Sequence, residues 1–217
     1  MDILQKHEIF EIEVLDRMKS GKMLDVLVFG GGSMLRLCHE LNRYSVVLDF
    51  WFIKKTPHAT YMNNLQKILA QAYEITDAEV KSHTILIEMR SRNYPKRLRI
   101  EIRKEINYCD FQERIAFSKF STKQVILKTH TLEQMMKNKC AAFLDRNEIR
   151  DCFDIEFLLR KGIPLPKMSN KELIEFKKKV TLFSEKDFKV KLGSILEGDI
   201  RKYYIENRFG YLEEKLQ

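Results

Sequence analysis

Three consecutive glycines, Gly30 to Gly32, constrain this chain more than any other feature of its sequence. They follow a β-rich run at 24–29 and precede apolar residues at helical spacing, which predicts a strand, a tight turn and a helix capped by Ser33. Glycines allow close approach of the backbone, and exposed amides at a helix start attract anions. The pattern therefore allows phosphate binding by Gly31, Gly32 and Ser33. A strand-to-helix turn that needs glycine only for its geometry is the alternative.

The chain divides into two parts by its predicted secondary structure. Residues 1–130 contain both predicted strands and predicted helices, whereas nearly everything in 131–217 predicts helix. We therefore predict an α+β fold, with a mixed β-sheet flanked by helices in 1–130 and a helical region in 131–217. The predicted strands are 24–29, 45–53, 84–90, 97–103 and 123–128, and the predicted helices are 2–19, 33–41, 61–73, 131–145, 148–161, 170–181, 185–196 and 197–214.

Composition narrows the class of protein. The 217 residues carry a formal charge of +8, which suits either a polyanionic partner, such as RNA, DNA or a nucleoside triphosphate, or merely a soluble surface. The four cysteines form no C-x-x-C pair, and neither a signal peptide nor a transmembrane run is evident. We therefore expect a protein of the reducing cytoplasm with no membrane partner.

The segment after the glycines reads Arg43-Tyr44-Ser45-Val46-Val47-Leu48-Asp49-Phe50. With Gly-Gly-Ser before it, this pattern resembles the AbiEii/AbiGii-type nucleotidyltransferases of the polymerase-β-like superfamily. Members show Arg-x-Ser-x-Asp-Leu-Asp-Phe, whose two aspartates share one strand face and can hold divalent metal. Here Asp49 matches the second aspartate, but Val47 stands in the place of the first. The resemblance implies that Asp49 is catalytic and binds metal, and that Arg43 and Ser45 bind the nucleotide.

The same resemblance implies a further acidic ligand from a later strand. Glu101 is the best candidate by position and by strand alternation, although it could equally form an ordinary ion pair with neighbouring arginines such as Arg99. The surrounding hairpin, 84–103, is rich in Arg and Lys, with Tyr94 at its turn. It suits RNA contact, or it carries basic residues simply to prevent edge-to-edge aggregation.

A second block, Lys139 to Asp154, also resembles the AbiEii-like proteins: a lysine, an alanine three later, an arginine, then Arg-Asp followed three later by Asp. The resemblance implies phosphate handling by Lys139 and an active-site role for Arg150 and Asp151, supported by Arg146 and Asp154. The alternatives are a plain surface lysine and an aspartate that favours a helix start.

Taken together, these features predict a nucleotidyltransferase that uses Mg²⁺ (or Mn²⁺) and a nucleoside triphosphate. The resemblance implies an RNA acceptor, such as tRNA, and toxin activity reversed by a separate antitoxin protein. Val47 supports an alternative, a catalytically inactive nucleotide- or RNA-binding module of the same fold. A structural interaction protein would leave the glycine turn and Lys139 unexplained. In the transferase, Ser33, Asp49, Glu101, Lys139 and Asp151 are expected to converge on one cleft.

Overall fold

A computed structural model describes residues 1–106 and 108–216. They form two compact units, one of Met1–Glu40 with Tyr44–His130, the other of Leu41–Arg43 with the residues from Thr131 onward. The helices of the first unit are α1 (Ile3–Ser20), α2 (Gly31–His39) and α3 (His58–Ala70). Its strands are β1 (Leu27–Gly30), β2 (Val47–Phe52), β3 (Glu74–Val80), β4 (Thr84–Arg90), β5 (Leu98–Arg103), β6 (Phe111–Phe117) and β7 (Gln124–His130).

Among the described residues, seven strands form one mixed sheet in the order β3-β4-β5-β2-β1-β7-β6. β2 pairs in parallel with β5, and β1 with β7, whereas the other neighbours are antiparallel. Burial alternates along β2, so that Leu48, Phe50 and Phe52 face the core while Val47, Asp49 and Trp51 share the half-buried face. The predicted α+β class is confirmed.

The second unit contains α4 (Leu132–Arg146), α5 (Ile149–Arg160), α6 (Asn170–Thr181), α7 (Gly198–Asn207) and α8 (Gly210–Lys215). Its core is aromatic, with Phe143, Phe176, Phe183, Phe188 and Phe209 in successive ring contacts. None of the helices in the described residues is long and apolar enough to cross a membrane.

Several element predictions are wrong in detail. The strands 74–80 and 111–117 were not predicted, because both are sheet edges and their exposed residues follow no clear alternation. Most of 185–196, predicted as a helix, is helical, but as a π-helix over Asp187–Leu192 and a 3₁₀ helix over Gly193–Ile195. The helix predicted over 197–214 is broken at Arg208, which adopts a positive φ.

Candidate active site

The glycine turn joins β1 to α2, and its geometry explains two of the three glycines. Gly31 has φ +72°, and a Cβ there would overlap the carboxylate of Asp49. A Cβ at Gly30 would overlap the rings of Trp51 and His130. Glycine at both positions therefore lets the half-buried side of the sheet pack directly against the turn, and Asp49 lies at the amino end of α2.

Ser33 is not the helix cap that its sequence predicted. Gly30 occupies the N-cap position with extended backbone, and α2 starts without a side-chain cap among the described residues. Ser33 lies in the first turn, fully buried, with its Oγ 2.9 Å from Glu11 Oε1 and 2.6 Å from the Val47 carbonyl oxygen. Because its hydroxyl contacts these two groups, the predicted phosphate contact would depend on the backbone N–H groups of Gly31, Gly32 and Ser33, three residues that are buried as a whole.

The two candidate metal-binding carboxylates belong to neighbouring parallel strands. Asp49 of β2 and Glu101 of β5 are Cα partners, so their side chains leave the same face of the sheet. Both are half-buried, and Glu101 also lies 3.7 Å from an Arg99 guanidinium nitrogen. Val47 occupies this same face one alternation earlier. The structure thus brings Asp49 and Glu101 together and places an aliphatic side chain at the third position.

Whether these residues fit a divalent metal depends on how many ligands the protein must supply. Within residues 1–106 and 108–216 no three His, Cys, Asp or Glu side chains form a group able to hold a metal ion. Mg²⁺ is usually held by one or two carboxylates, with waters and substrate phosphates as its remaining ligands. Asp49 and Glu101 therefore fit a metal that arrives with a triphosphate.

In the second unit, which we call the helical unit, Lys139 of α4 is buried between two aspartates of α5. Its Nζ lies 3.0 Å from Asp151 Oδ1 and 2.6 Å from Asp154 Oδ2, and neither aspartate side chain is exposed. Arg146 binds Asp151 with two hydrogen bonds of 2.7 and 2.8 Å. Arg43 binds Asp154 in the same bidentate way, at 2.6 and 2.7 Å. We call these five residues the lysine cluster.

The cations of the lysine cluster stabilise the ionised form of its buried aspartate Asp151. Burial alone would raise the pKa of Asp151, but the hydrogen bonds from Arg146 and the charge of Lys139 outweigh it and hold that pKa below its ordinary value. Three cations surround two carboxylates, so the cluster has a formal net charge of +1. Arg150 lies apart from this buried set, on the exposed side of α5.

The structure gives the positions of Arg43 and Ser45, the two residues expected to bind nucleotide. Arg43 was expected to bind nucleotide, but it lies in the helical unit with only 3 % of its surface exposed, and its guanidinium holds Asp154. Ser45 precedes β2 and is half-buried. The structure thus gathers Lys139, Asp151 and Arg43 in the lysine cluster. The convergence of these residues with Asp49 on one cleft stays a prediction, as do their functional roles.

The basic hairpin is structured by its own ion pairs. Arg97 and Arg99 both contact Glu88, at 2.8 and 3.4 Å. Tyr94 is no exposed loop tip, because its ring stacks on Phe10 of α1 at 4.6 Å. Both strands of the hairpin lie inside the sheet and not at its edge, so protection against edge pairing does not explain the arginines either.

Sequence reasoning missed two acidic residues beside the glycine turn. Glu8 and Glu11 of α1 are buried, and they hydrogen-bond to Arg36 and Ser33 of α2 respectively. The sequence did contain a signal for them, because Glu8 and Glu11 lie at helical spacing from Leu15 and Met18, on the buried face of α1. Acidic side chains on such a face indicate a buried polar contact.

The comparisons with known proteins agree with this architecture. The model of the nucleotidyl transferase AbiEii toxin family, of type IV toxin–antitoxin systems, matches residues 13–205. A comparison with curated proteins gives no match. The fold is similar to the crystal structure of JHP933 from Helicobacter pylori, with TM-score 0.54, 16% identity, and 96% of this chain and 93% of that chain covered.

A candidate nucleotidyltransferase from Helicobacter pylori is also similar, with TM-score 0.58, 17% identity and 95% of each chain covered. At these identities the two structures support the fold alone. The match to the family model spans most of the chain and both of its units. The chain therefore belongs to the family of AbiEii nucleotidyl transferase toxins of type IV toxin–antitoxin systems.

Proposed function

We propose that this protein transfers a nucleotidyl group from a nucleoside triphosphate to an acceptor hydroxyl, with Mg²⁺ or Mn²⁺ bound to the triphosphate. The observation that carries the proposal is the position of Asp49. Its carboxylate lies beside the Cα partner Glu101 and against Gly31 at the amino end of α2. This arrangement suits a metal–triphosphate complex. The two carboxylates can hold the metal cation, and the amino end of α2 favours the negatively charged phosphates.

In the reaction, the acceptor oxygen forms a bond to the α-phosphorus as the hydroxyl proton is released to solvent, the bond from that phosphorus to the oxygen bridging to the β-phosphate breaks, and pyrophosphate leaves. A bound metal ion would supply charge neutralisation at the phosphates. Asp49 and Glu101 would hold it. The backbone N–H groups of Gly31, Gly32 and Ser33 are the proposed phosphate contacts of the sheet unit.

The lysine cluster supports a phosphate-binding role for Lys139. Its ammonium group is fixed by Asp151 and Asp154, which are themselves held by arginines. This arrangement keeps the ammonium in one place, and the net positive charge favours an anion nearby. We propose that Lys139 neutralises phosphate charge, that Asp151 positions Lys139 within the site, and that the exposed Arg150 contacts the nucleotide.

The second candidate function is a catalytically inactive nucleotide-binding module, and Val47 favours it. Val47 lies on the same strand face as Asp49 and cannot bind metal. Loss of one metal ligand removes transition-state stabilisation of several kcal/mol. Both candidate functions predict triphosphate binding, but only the transferase predicts turnover.

Family membership and net charge support the proposals for the acceptor and the partners. A net charge of +8 suits an RNA acceptor, and we propose tRNA as its class. Membership of a toxin–antitoxin family supports an antitoxin protein as the second partner. Both would meet the protein in the cytoplasm.

The test is incubation with each of the four labelled nucleoside triphosphates, Mg²⁺ or Mn²⁺, and total RNA. We expect label in RNA from at least one triphosphate, and none from the Asp49→Asn variant. Binding of a triphosphate without incorporation would favour the inactive module. Absence of both binding and incorporation would refute both candidates.

A further inference from the structure

Beside the glycine turn, two glutamates of α1 have different surroundings. Glu8 forms an ion pair with Arg36, whose Nε lies 2.8 Å from Glu8 Oε2, and its other oxygen accepts a hydrogen bond from the Ser118 hydroxyl. Glu11, one turn further along α1, is 1 % exposed and lies against the hydroxyl of Ser33. The two residues thus form a matched pair, one beside a cation and one beside a neutral group.

The number of protons available at Ser33 bears on the protonation state of Glu11. Ser33 Oγ lies 2.6 Å from the carbonyl oxygen of Val47 and 2.9 Å from Glu11 Oε1, and both are hydrogen-bond distances. A peptide carbonyl oxygen can only accept, and a hydroxyl group has one proton to donate. If Ser33 donates to Val47, the contact with Glu11 is a hydrogen bond only when Glu11 supplies the proton.

We infer that Glu11 is a protonated carboxyl group that donates to Ser33, which in turn donates to the carbonyl of Val47. This chain, Glu11 to Ser33 to Val47, joins α1 through the first turn of α2 to the start of β2. It makes Glu11 a positioning residue for the glycine turn. Its role in nucleotide binding rests on the proposed function, whereas the protonation state does not.

The charges around Glu11 agree with the neutral form. Among the described residues, Glu8, Arg36 and Asp49 are charged groups that act on it, and two of the three are acidic. Burial is the largest influence and raises the pKa of Glu11 well above its ordinary value. The hydroxyl of Ser33 and the charge of Arg36 lower that pKa, and Glu8 and Asp49 raise it, but burial outweighs the lowering contributions. An ionised Glu11 would add negative charge beside the place proposed for the triphosphate. The protonated form holds Ser33 without that repulsion.

Glu11→Gln is the decisive variant, because glutamine is neutral, has nearly the same shape and can donate an N–H to Ser33. We expect the purified protein at pH 7 to show the infrared carbonyl band of a protonated carboxyl group, and Glu11→Gln to lack it. The melting temperature of Glu11→Gln should equal or exceed that of the wild type, with an advantage that grows from pH 5 to pH 8. Glu8→Gln, the matched control, should retain the band and melt at a lower temperature.

Nucleotide binding provides the functional part of the test. By calorimetry with Mg²⁺ and the triphosphates, Glu11→Gln should bind within about twofold of the wild type, whereas Ser33→Ala should bind at least about tenfold more weakly, a difference of about 1.4 kcal/mol. A missing infrared band in the wild type, or a Glu11→Gln protein that melts well below it at every pH, would overturn the inference. If no form of the protein binds nucleotide, the proposed function fails, while the infrared and melting results still decide the state of Glu11.

Discussion

The carboxylate of Asp49 packs against the α-carbon of Gly31, in the space that a Cβ at that position would occupy. Gly31 also has φ +72°, a conformation that side chains with a Cβ rarely adopt. One glycine thus both turns the chain into α2 and admits the carboxylate proposed to hold metal.

Gly31→Ala tests this relationship, with Gly162→Ala as its control. Gly162 has φ +84°, but a Cβ added there would meet no atom of the described residues within 4 Å, so alanine should cost only the strain of the left-handed backbone, about 1–2 kcal/mol of unfolding free energy. At Gly31 the overlap with Asp49 should add about 1–3 kcal/mol. Denaturant unfolding of both variants measures the difference. Equal losses of unfolding free energy in the two variants would show that the position of Asp49 does not require the absence of a Cβ at residue 31.

Lys139→Met should destabilise the helical unit and abolish triphosphate binding. It leaves Asp151 and Asp154 buried with one arginine each, and loss of a partner from a buried ion pair costs about 3–5 kcal/mol. Arg150→Ala is the control, because that exposed side chain should change nucleotide affinity with little change in stability. Unfolding and calorimetry on both variants separate the two effects. A Lys139→Met protein with wild-type stability would contradict the buried pairing described above.

The acid stability of the protein should depend on Asp151. Its pKa in the folded state lies below the ordinary 3.8, so the folded state binds a proton less readily than the unfolded state. The resulting stability is fully present above pH 3.8 and is lost as the pH falls through the folded-state value. Unfolding free energies measured from pH 6 downward should fall less steeply for Asp151→Asn than for the wild type. Asp145→Asn, at an exposed position, is the matched control for the chemical change itself. A slope in Asp151→Asn equal to that of the wild type would refute the role of Asp151 in acid stability.

The sequence predicted the local elements well where burial is one-sided. The alternation along β2 correctly predicted that Val47 and Asp49 share a face, and α6 begins and ends where its apolar spacing indicated. The edge strands β3 and β6 could not be recognised in this way, because their residues are mostly exposed on both faces.

Long-range contacts explain most of what the sequence did not predict at the site. Ser33 has the residue type and position of a helix cap, and only the folded chain brings Glu11 within reach of its hydroxyl. Arg43 binds Asp154 across 111 positions, a pairing that no local pattern indicates. The resemblance to a family identified the residues of the lysine cluster, but it did not indicate that they are buried together.

Val47→Asp should raise any transferase activity. Val47 is half-buried on the face of Asp49, and its Cα partner is Arg99, so a carboxylate at 47 would have both a metal-binding neighbour and a cation beside it. We expect a Mg²⁺-dependent rise in melting temperature and at least about tenfold faster incorporation, which corresponds to about 1.4 kcal/mol. Val46→Asp, at an exposed neighbouring position, is the control. Destabilisation of Val47→Asp with or without metal, and no gain in rate, would indicate a protein that does not use this strand for catalysis.

The most direct test of the central claim is calorimetry of Mg²⁺–triphosphate binding to the wild type and to Asp49→Asn. The substitution keeps the shape of the side chain against Gly31 and removes only the charge that holds the cation. We predict that the wild type binds at least one of ATP, GTP, CTP and UTP, and that Asp49→Asn weakens this binding at least about tenfold in Mg²⁺ but little in its absence. Equal affinity of the two proteins in Mg²⁺, or no binding of any triphosphate by the wild type, would contradict the account.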